Sequence, residues 1–354
     1  MSKNILFSSK PHQSYSQLVK RLENRGMLVP DKDRAERKLS QIGYYRLSGF
    51  WFPCREVKKD SLGIGILHPG TKQPIREDTF QAGVDFNKIV ELYLFDKKIR
   101  LLMMDAIERI EIHIRSVVAH EMGYHDPLAY QKEAYINPKK LTTWKDKKTG
   151  TSRNLWKEWS AKQQELIGRS KEDCIKWHKT EKKAIPFWVA VESWDYGNLS
   201  KYYSMLRAKY QKKICLRLDI SNEKILENWL HEINILRNRC AHHTRIWNQS
   251  SNNPLPILKT PYFDKLSLDG RALKRMYGMI CVLWFLVKKV GPSSDWLKSV
   301  AELINSKPSI DCCPLTAMGF PDVGSHHHAE DQRPEVRLQA HHLKTVRSDN
   351  EGYE

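Results

Sequence analysis

The longest helical pattern in the chain starts near Asn87. Leu92, Phe95, Ile99, Met103, Ala106, Ile110, Ile114 and Val117 follow one another at steps of three or four, so all eight share one face of a 3.6-residue helix. Gly123 and Pro127 close it. An apolar face of that length has to be covered, and the segments available to cover it are also helical in pattern. "SYSQLVKRLENRG" (14–26) runs from a serine cap to a glycine stop, and "DKDRAERKLSQIGYYRLSGFW" (31–51) follows Pro30. "PFWVAVESWDYGNLSKYYSML" (186–206) restarts a helix with Pro186 in the favoured first turn. From about Ile225 another carries Trp229, Ile233, Leu236 and Cys240 inward, and a further one over Arg271–Val290 ends in "KKVGP", a basic last turn followed by Gly and Pro. There is no internal repeat and no run of alternating strands, which predicts an all-α fold.

The pattern divides the 354 residues into an N-terminal helical segment (1–55), a Gly- and Pro-containing loop or short hairpin (56–83), a helical core (84–323) and a tail (324–354). The tail has almost no apolar content and is expected to be disordered; a metal held by its His326–His328 run is less expected than plain solvation. Within the core, residues 131–183 form a basic helical insertion in which fifteen Lys or Arg face seven Asp or Glu. Trp144, Trp156, Trp159 and Trp177 are interspersed there. Two readings stay open: a solvated insertion whose tryptophans reach the core, or a surface where Lys139, Lys140, Lys147, Lys148 and Arg153 hold phosphates while aromatic faces stack on bases. The net charge of +18 favours polyanionic partners and says nothing about fold.

Several classes are excluded. "MSKNILFSSKPHQ" lacks the apolar stretch of a secretory signal, and the longest apolar run, Met276–Val287, is too short to cross a bilayer. Seven scattered cysteines, with no C-x-x-C, argue against a disulfide framework and give no zinc pattern. The expectation is a cytoplasmic protein with no membrane contact, no metal and no cofactor.

Charge concentrates oddly in "LRNRCAHHTRIWN" (236–248). Arg237 and His242 there are one of three R-x4-H pairs, the others being Arg115–His120 and Arg337–His342. The pattern alone does not choose among them. Arg337–His342 lies in the tail, where nothing rigid would preorganise a site. Arg115–His120 is separated by largely apolar residues, which suits packing. Arg237–His242 is embedded among Asn238, Arg239, His243, Thr244 and Arg245, directly after a strongly apolar helical stretch. Five residues of α-helix turn about 500°, so Arg237 and His242 converge only if the helix bends or ends near Ala241, or if Arg237 uses its length. Asn238 and His242, by contrast, are i,i+4 neighbours, as are Arg239 and His243.

Such a cluster suits three roles: a solvated helix end, a phosphate clamp, or metal-independent RNA cleavage. For cleavage, one imidazole accepts the 2′-hydroxyl proton and another donates to the leaving 5′-oxygen, while a guanidinium fork stabilises charge growing on the phosphate. Two such helix ends brought together by a dimer would build a composite site. Glu108 and Glu111 share part of a helix face with Arg115, and ion pairing is the simpler account of them.

The chain resembles the Abi-like family, bacterial abortive-infection proteins of the AbiD/AbiF type within the HEPN superfamily of helical ribonucleases. The resemblance is carried by "KPHQSYSQLVKRLENRGMLV", "LSQIGYYRLSGFWFP", "LYLFDKKIRLLMMDAIERIEIHIRS", "PFWVAVESWDYGNLSKYYSML", "LRNRCAHHTRIWN" and a closing "MGFP", in order over residues 10–321. It implies a HEPN-like helical bundle with an N-terminal helical extension, a homodimer, and an antiphage endoribonuclease leaving 2′,3′-cyclic phosphate and 5′-hydroxyl ends. It assigns Arg237 to phosphate contact, Asn238 to orientation of the site and His242 to acid/base chemistry; the motif does not require His243, a plausible helper, and Arg239 (support) and Arg245 (RNA contact) are candidates from their place in the same run. A structured non-coding RNA is an implied partner of AbiF-type members. The competing expectation is a non-catalytic protein that grips such an RNA. For a third, an adaptor acting through its helices, no specific feature speaks.

Overall fold

Ser14 opens the first helix with a reciprocal capping box: its hydroxyl accepts from the Gln17 amide, and the Gln17 side chain accepts from the Ser14 amide. The structure, a computed structural model, describes residues 10–251, 253–266 and 268–322. The tail, with His326–His328 and the Arg337–His342 pair, lies outside the described residues.

The chain divides into two compact units, Met1–Lys98 with Ser306–Pro314, and Ile99–Asn305 with Leu315–Glu354. The first holds α1 (Tyr15–Asn24), α2 (Lys32–Ile42), α3 (Tyr44–Trp51), strands β1 (Arg55–Val57) and β2 (Arg76–Phe80), and the start of α4 (Phe86–His125). The 31–51 pattern, continuous in periodicity, is broken at Gly43, whose φ of +93° and ψ of 137° no helix accommodates. β1 and β2 pair antiparallel with Arg55 opposite Phe80 and Val57 opposite Arg76, the register slipping between them. Asp78 on β2 ties the hairpin down by accepting from Arg25 at 2.7 Å and Arg55 at 3.0 Å. Ser306–Pro314 returns to this unit, and a disulfide joins Cys54 to Cys312. This corrects the cysteine expectation: partners 258 residues apart leave no spacing signature.

The second unit takes the rest of α4, then β3 (Thr143–Lys145), β4 (Ser152–Asn154), α5 (Leu155–Arg169), α6 (Asp173–Thr180), α7 (Phe187–Ala190), α8 (Tyr196–Met205), α9 (Ala208–Leu216), α10 (Glu223–Ala241), α11 (Pro261–Asp264), α12 (Met276–Val290) and α13 (Trp296–Asn305). Among the described residues the protein is thus mainly helical, with two small two-stranded sheets: β1–β2 falls in the stretch read as a loop or short hairpin, and β3–β4 in the insertion expected to be helical. All eight stripe residues of α4 are buried, and the helix runs two residues past Gly123. The expected 186–206 helix is two, because Asp195 caps a fresh start by accepting from the Asn198 amide at 2.7 Å.

Trp159, Phe187, Trp194 and Tyr202 pack as one aromatic cluster, with Trp159 and Tyr202 centroids 4.9 Å apart. α12 is apolar on almost every side and correspondingly buried, a core helix. It begins at Met276 rather than Arg271, after a 3-10 turn over Ala272–Lys274. No helix among the described residues is long and apolar enough to cross a membrane.

Gly319 of "MGFP" has φ +91°, and a Cβ there would stand 2.6 Å from Arg275 Cβ and 3.1 Å from Ala272 Cα. Both the conformation and the space require glycine. Gly319→Ala is therefore expected to cost about 2 kcal/mol or more in urea unfolding, through combined backbone and overpacking strain.

Candidate functional site at the end of α10

α10 is held by a buried stripe, Leu226, Trp229, Leu230, Ile233, Leu236 and Cys240. Asn222 caps its start, accepting from the amides of Lys224 and Ile225, and Trp229 Nε1 donates to the Pro256 carbonyl at 2.7 Å. α8 packs on it closely: a Cβ at Gly197 would lie 3.4 Å from Asn234 Nδ2.

The helix ends at Ala241. His242 is the C-cap, with φ −90° and ψ 12°. His243 follows at φ +56°. The Thr244 amide donates to the Arg239 carbonyl at 2.8 Å and the His243 amide to the Cys240 carbonyl at 3.1 Å, the two bonds of a Schellman turn. Glycine normally fills the left-handed position of that turn; histidine is held there at a cost of about 1 kcal/mol. Conformational strain of this kind collects at functional positions.

Asn238, His242, His243 and Thr244 are all exposed, and the Asn238 carbonyl accepts from the His242 amide at 2.9 Å. Arg237, half-buried, works in another direction: its charge acts on Glu111 of α4. Glu111 bonds Arg115 at 2.7 Å, and Arg115 also donates to the Trp194 carbonyl at 3.1 Å and pairs with Glu192 at 3.5 Å. Burial raises the Glu111 pKa, Arg115 and Arg237 oppose that rise, and Asp195 and Glu108 add to it. Tyr196 is buried beside this group; burial first, then the Glu111 charge, keeps its phenol protonated well above the usual range. Its hydroxyl has no partner among the described residues.

Arg239 points elsewhere again, lining a small recess of about 40 Å³ with Glu232, Leu236, Gln249 and Arg275. Arg245 is half-buried. The Arg115–His120 pair has divided partners, since His120 is exposed and meets Arg217 at 3.3 Å, which in turn bonds Glu121 at 2.8 Å. Sequence reasoning left Asp195 and Tyr196 out of the site; they come from a different helix and carry no motif spacing to α10.

The basic residues of the insertion belong to another element. Lys139 and Lys140 sit on a 3-10 turn, Lys147 and Lys148 in the β3–β4 turn, and Arg153 on β4. Asp146 shapes that turn by accepting from the Lys148 and Thr149 amides at 2.8 and 3.0 Å. Arg153 lies 5.9 Å over its cross-strand neighbour Trp144 and forks onto Glu158 at 2.8 and 2.7 Å, which commits its guanidinium. The insertion's tryptophans divide: Trp156 and Trp159 are core, whereas Trp144 and Trp177 are exposed.

A sequence model of the family described as Abi-like protein matches residues 37–248. The chain belongs to that family. No curated protein and no solved structure matches it. The match is shorter than the 10–321 span of the motifs and closes at Asn248, just past the two histidines. In this Abi-like protein the family region therefore takes in α4, α8 and α10, the elements that build the cluster.

Two substitutions probe it. Tyr196→Phe removes a buried hydroxyl without a partner and should raise unfolding free energy by about 1 kcal/mol. His243→Gly relieves the left-handed residue and should raise it by up to about 1 kcal/mol. Thermal denaturation checks both.

Proposed function

We propose that this protein acts in abortive-infection defence as a metal-independent endoribonuclease of the HEPN superfamily, with Arg237, Asn238 and His242 at its centre. Family membership points to abortive infection. The single observation that most supports the chemistry is the end of α10: the helix stops at Ala241 and leaves Asn238, His242 and His243 exposed at an anchored turn, with half-buried Arg237 beside them in sequence and close enough to act on Glu111.

In this reading an imidazole removes the proton from a ribose 2′-hydroxyl, whose oxygen attacks the adjacent phosphorus. The 5′-oxygen leaves with a proton from a second imidazole, giving a 2′,3′-cyclic phosphate and a 5′-hydroxyl. Arg237 contacts the phosphate, and Asn238 orients the site. His243, or a histidine of a second copy in a homodimer, supplies the other imidazole. Arg239 and Arg245 support the RNA path. The protein works in the cytoplasm without a cofactor.

A second reading is favoured by one observation, the exposed Trp144 beside Lys145, Lys147 and Lys148 on the β3–β4 hairpin. An aromatic face among lysines suits stacking and phosphate contact. There the protein grips a structured non-coding RNA without cutting it, as expected for an AbiF-type member, and the α10 end is a phosphate clamp.

Purified protein in EDTA should cleave RNA to 2′,3′-cyclic ends. His242→Ala, at an exposed cap, should fold normally and lose cleavage by roughly a hundred-fold or more. Cleavage that survives the substitution removes His242 from the site, and a requirement for Mg²⁺ removes the mechanism. Bound full-length RNA with no new ends selects the second reading.

A further inference from the structure

Three sulfurs meet within the first unit. Cys54 is bonded to Cys312, and Cys313 Sγ lies 3.6 Å from Cys54 Sγ. All three sulfurs fall within 4.8 Å of one another. Their surroundings differ. Cys54 and Cys313 are fully buried. Cys312 is half-buried and lines an open cleft of about 550 Å³ with Leu28, Gly83, Asp85, Lys88 and Asp311. Behind the disulfide, the Lys307 ammonium donates to the Pro308 and Cys313 carbonyls, and it and the Arg76 guanidinium are the cations on which the Cys313 sulfur acts.

We propose that Cys312 is a thiol-exchange site for low-molecular-weight thiols, with Cys54 as the leaving sulfur and Cys313 as the alternative partner of Cys54. A small thiol entering the cleft meets only one of the two bonded sulfurs. Its thiolate forms a bond to Cys312 Sγ, the Cys54–Cys312 bond breaks, and the electron pair leaves on Cys54, which takes up the proton the small thiol released. The products are a mixed disulfide on Cys312 and a Cys54 thiol. A second small thiol attacks the mixed disulfide at the small-molecule sulfur, releasing its disulfide and a Cys312 thiol. Two small thiols are oxidised and one protein disulfide is reduced. The reverse sequence, driven by the oxidised small thiol, restores the bond. Cys313, in van der Waals contact with Cys54, attacks Cys54 Sγ as its thiolate; a Cys54–Cys313 bond forms, the Cys54–Cys312 bond breaks, and the electron pair leaves on Cys312, which takes up through the solvent of the cleft the proton that Cys313 released. Reduction by the small thiol removes the crosslink between Cys54 and Ser306–Pro314, whereas the switch to Cys313 keeps it, both independently of any RNA chemistry.

Peptide mapping by mass spectrometry of the folded full-length protein, treated with reduced glutathione and then alkylated, tests this. The mixed disulfide should appear on Cys312 and not on Cys54 or Cys313. In Cys54→Ser, oxidised glutathione should modify Cys312 roughly ten-fold or more faster than Cys313, as exposure dictates. In Cys312→Ser, oxidation should yield a Cys54–Cys313 crosslink. Circular dichroism checks that each variant keeps its helices; where one does not, the wild-type mapping decides. The proposal is overturned if glutathione lands first on a buried cysteine, or if the disulfide is reduced only in urea. It is also overturned if the reduced chain binds one zinc that shields all three thiols from alkylation.

Discussion

Burial of one side of α10 is the constraint on which the polar end of this protein depends. A helix terminus is a poor scaffold by itself, because its last carbonyls lack partners and its final turn frays. Here the stripe from Leu226 to Cys240 reaches to within one residue of the last helical position, and the Schellman bonds occupy the Arg239 and Cys240 carbonyls. Exposed polar side chains are thereby carried on backbone that is itself anchored. The same rotation that puts Cys240 inside puts Asn238 outside and turns Arg237 toward α4.

What the amino-acid pattern disclosed and what it withheld follow from range. The α4 stripe, the Ser14 cap and the start of α10 are local, set by residues within a turn or two of one another, and they were legible. The breaks at Gly43 and Asp195 were not, because apolar periodicity continues across them and only the backbone angle or the side-chain cap ends the helix. The β3–β4 hairpin was missed, and the β1–β2 stretch left open between loop and short hairpin, for a related reason: each strand is three to five residues long, too short to express alternation. At the site, the α10 residues were visible as a motif. Glu111 and Tyr196, with 84 residues of chain between them, joined the site only through tertiary packing.

The positive charge is not one continuous resource. Arg115 serves Glu111 and Glu192, Arg153 serves Glu158, Arg217 serves Glu121, and Arg25 and Arg55 share Asp78. Arg153 forks onto Glu158 through two nitrogens, which suits its planar geometry, whereas the others meet each carboxylate through one. The lysines of the β3–β4 turn are exposed. The count of 59 Lys and Arg thus overstates what is free to meet a polyanion, whereas the net charge of +18 already subtracts such pairs.

The return of Ser306–Pro314 to the first unit has a consequence for biosynthesis. A growing polypeptide emerges from its N-terminus, so residues 10–98 leave the ribosome long before the segment that completes their unit. The whole of Ile99–Asn305 is made in between. At ordinary translation speed that is a delay of roughly 10–40 s. Throughout it Cys54 lacks Cys312, its partner in the folded chain, and the unit begun first waits while most of the second is made.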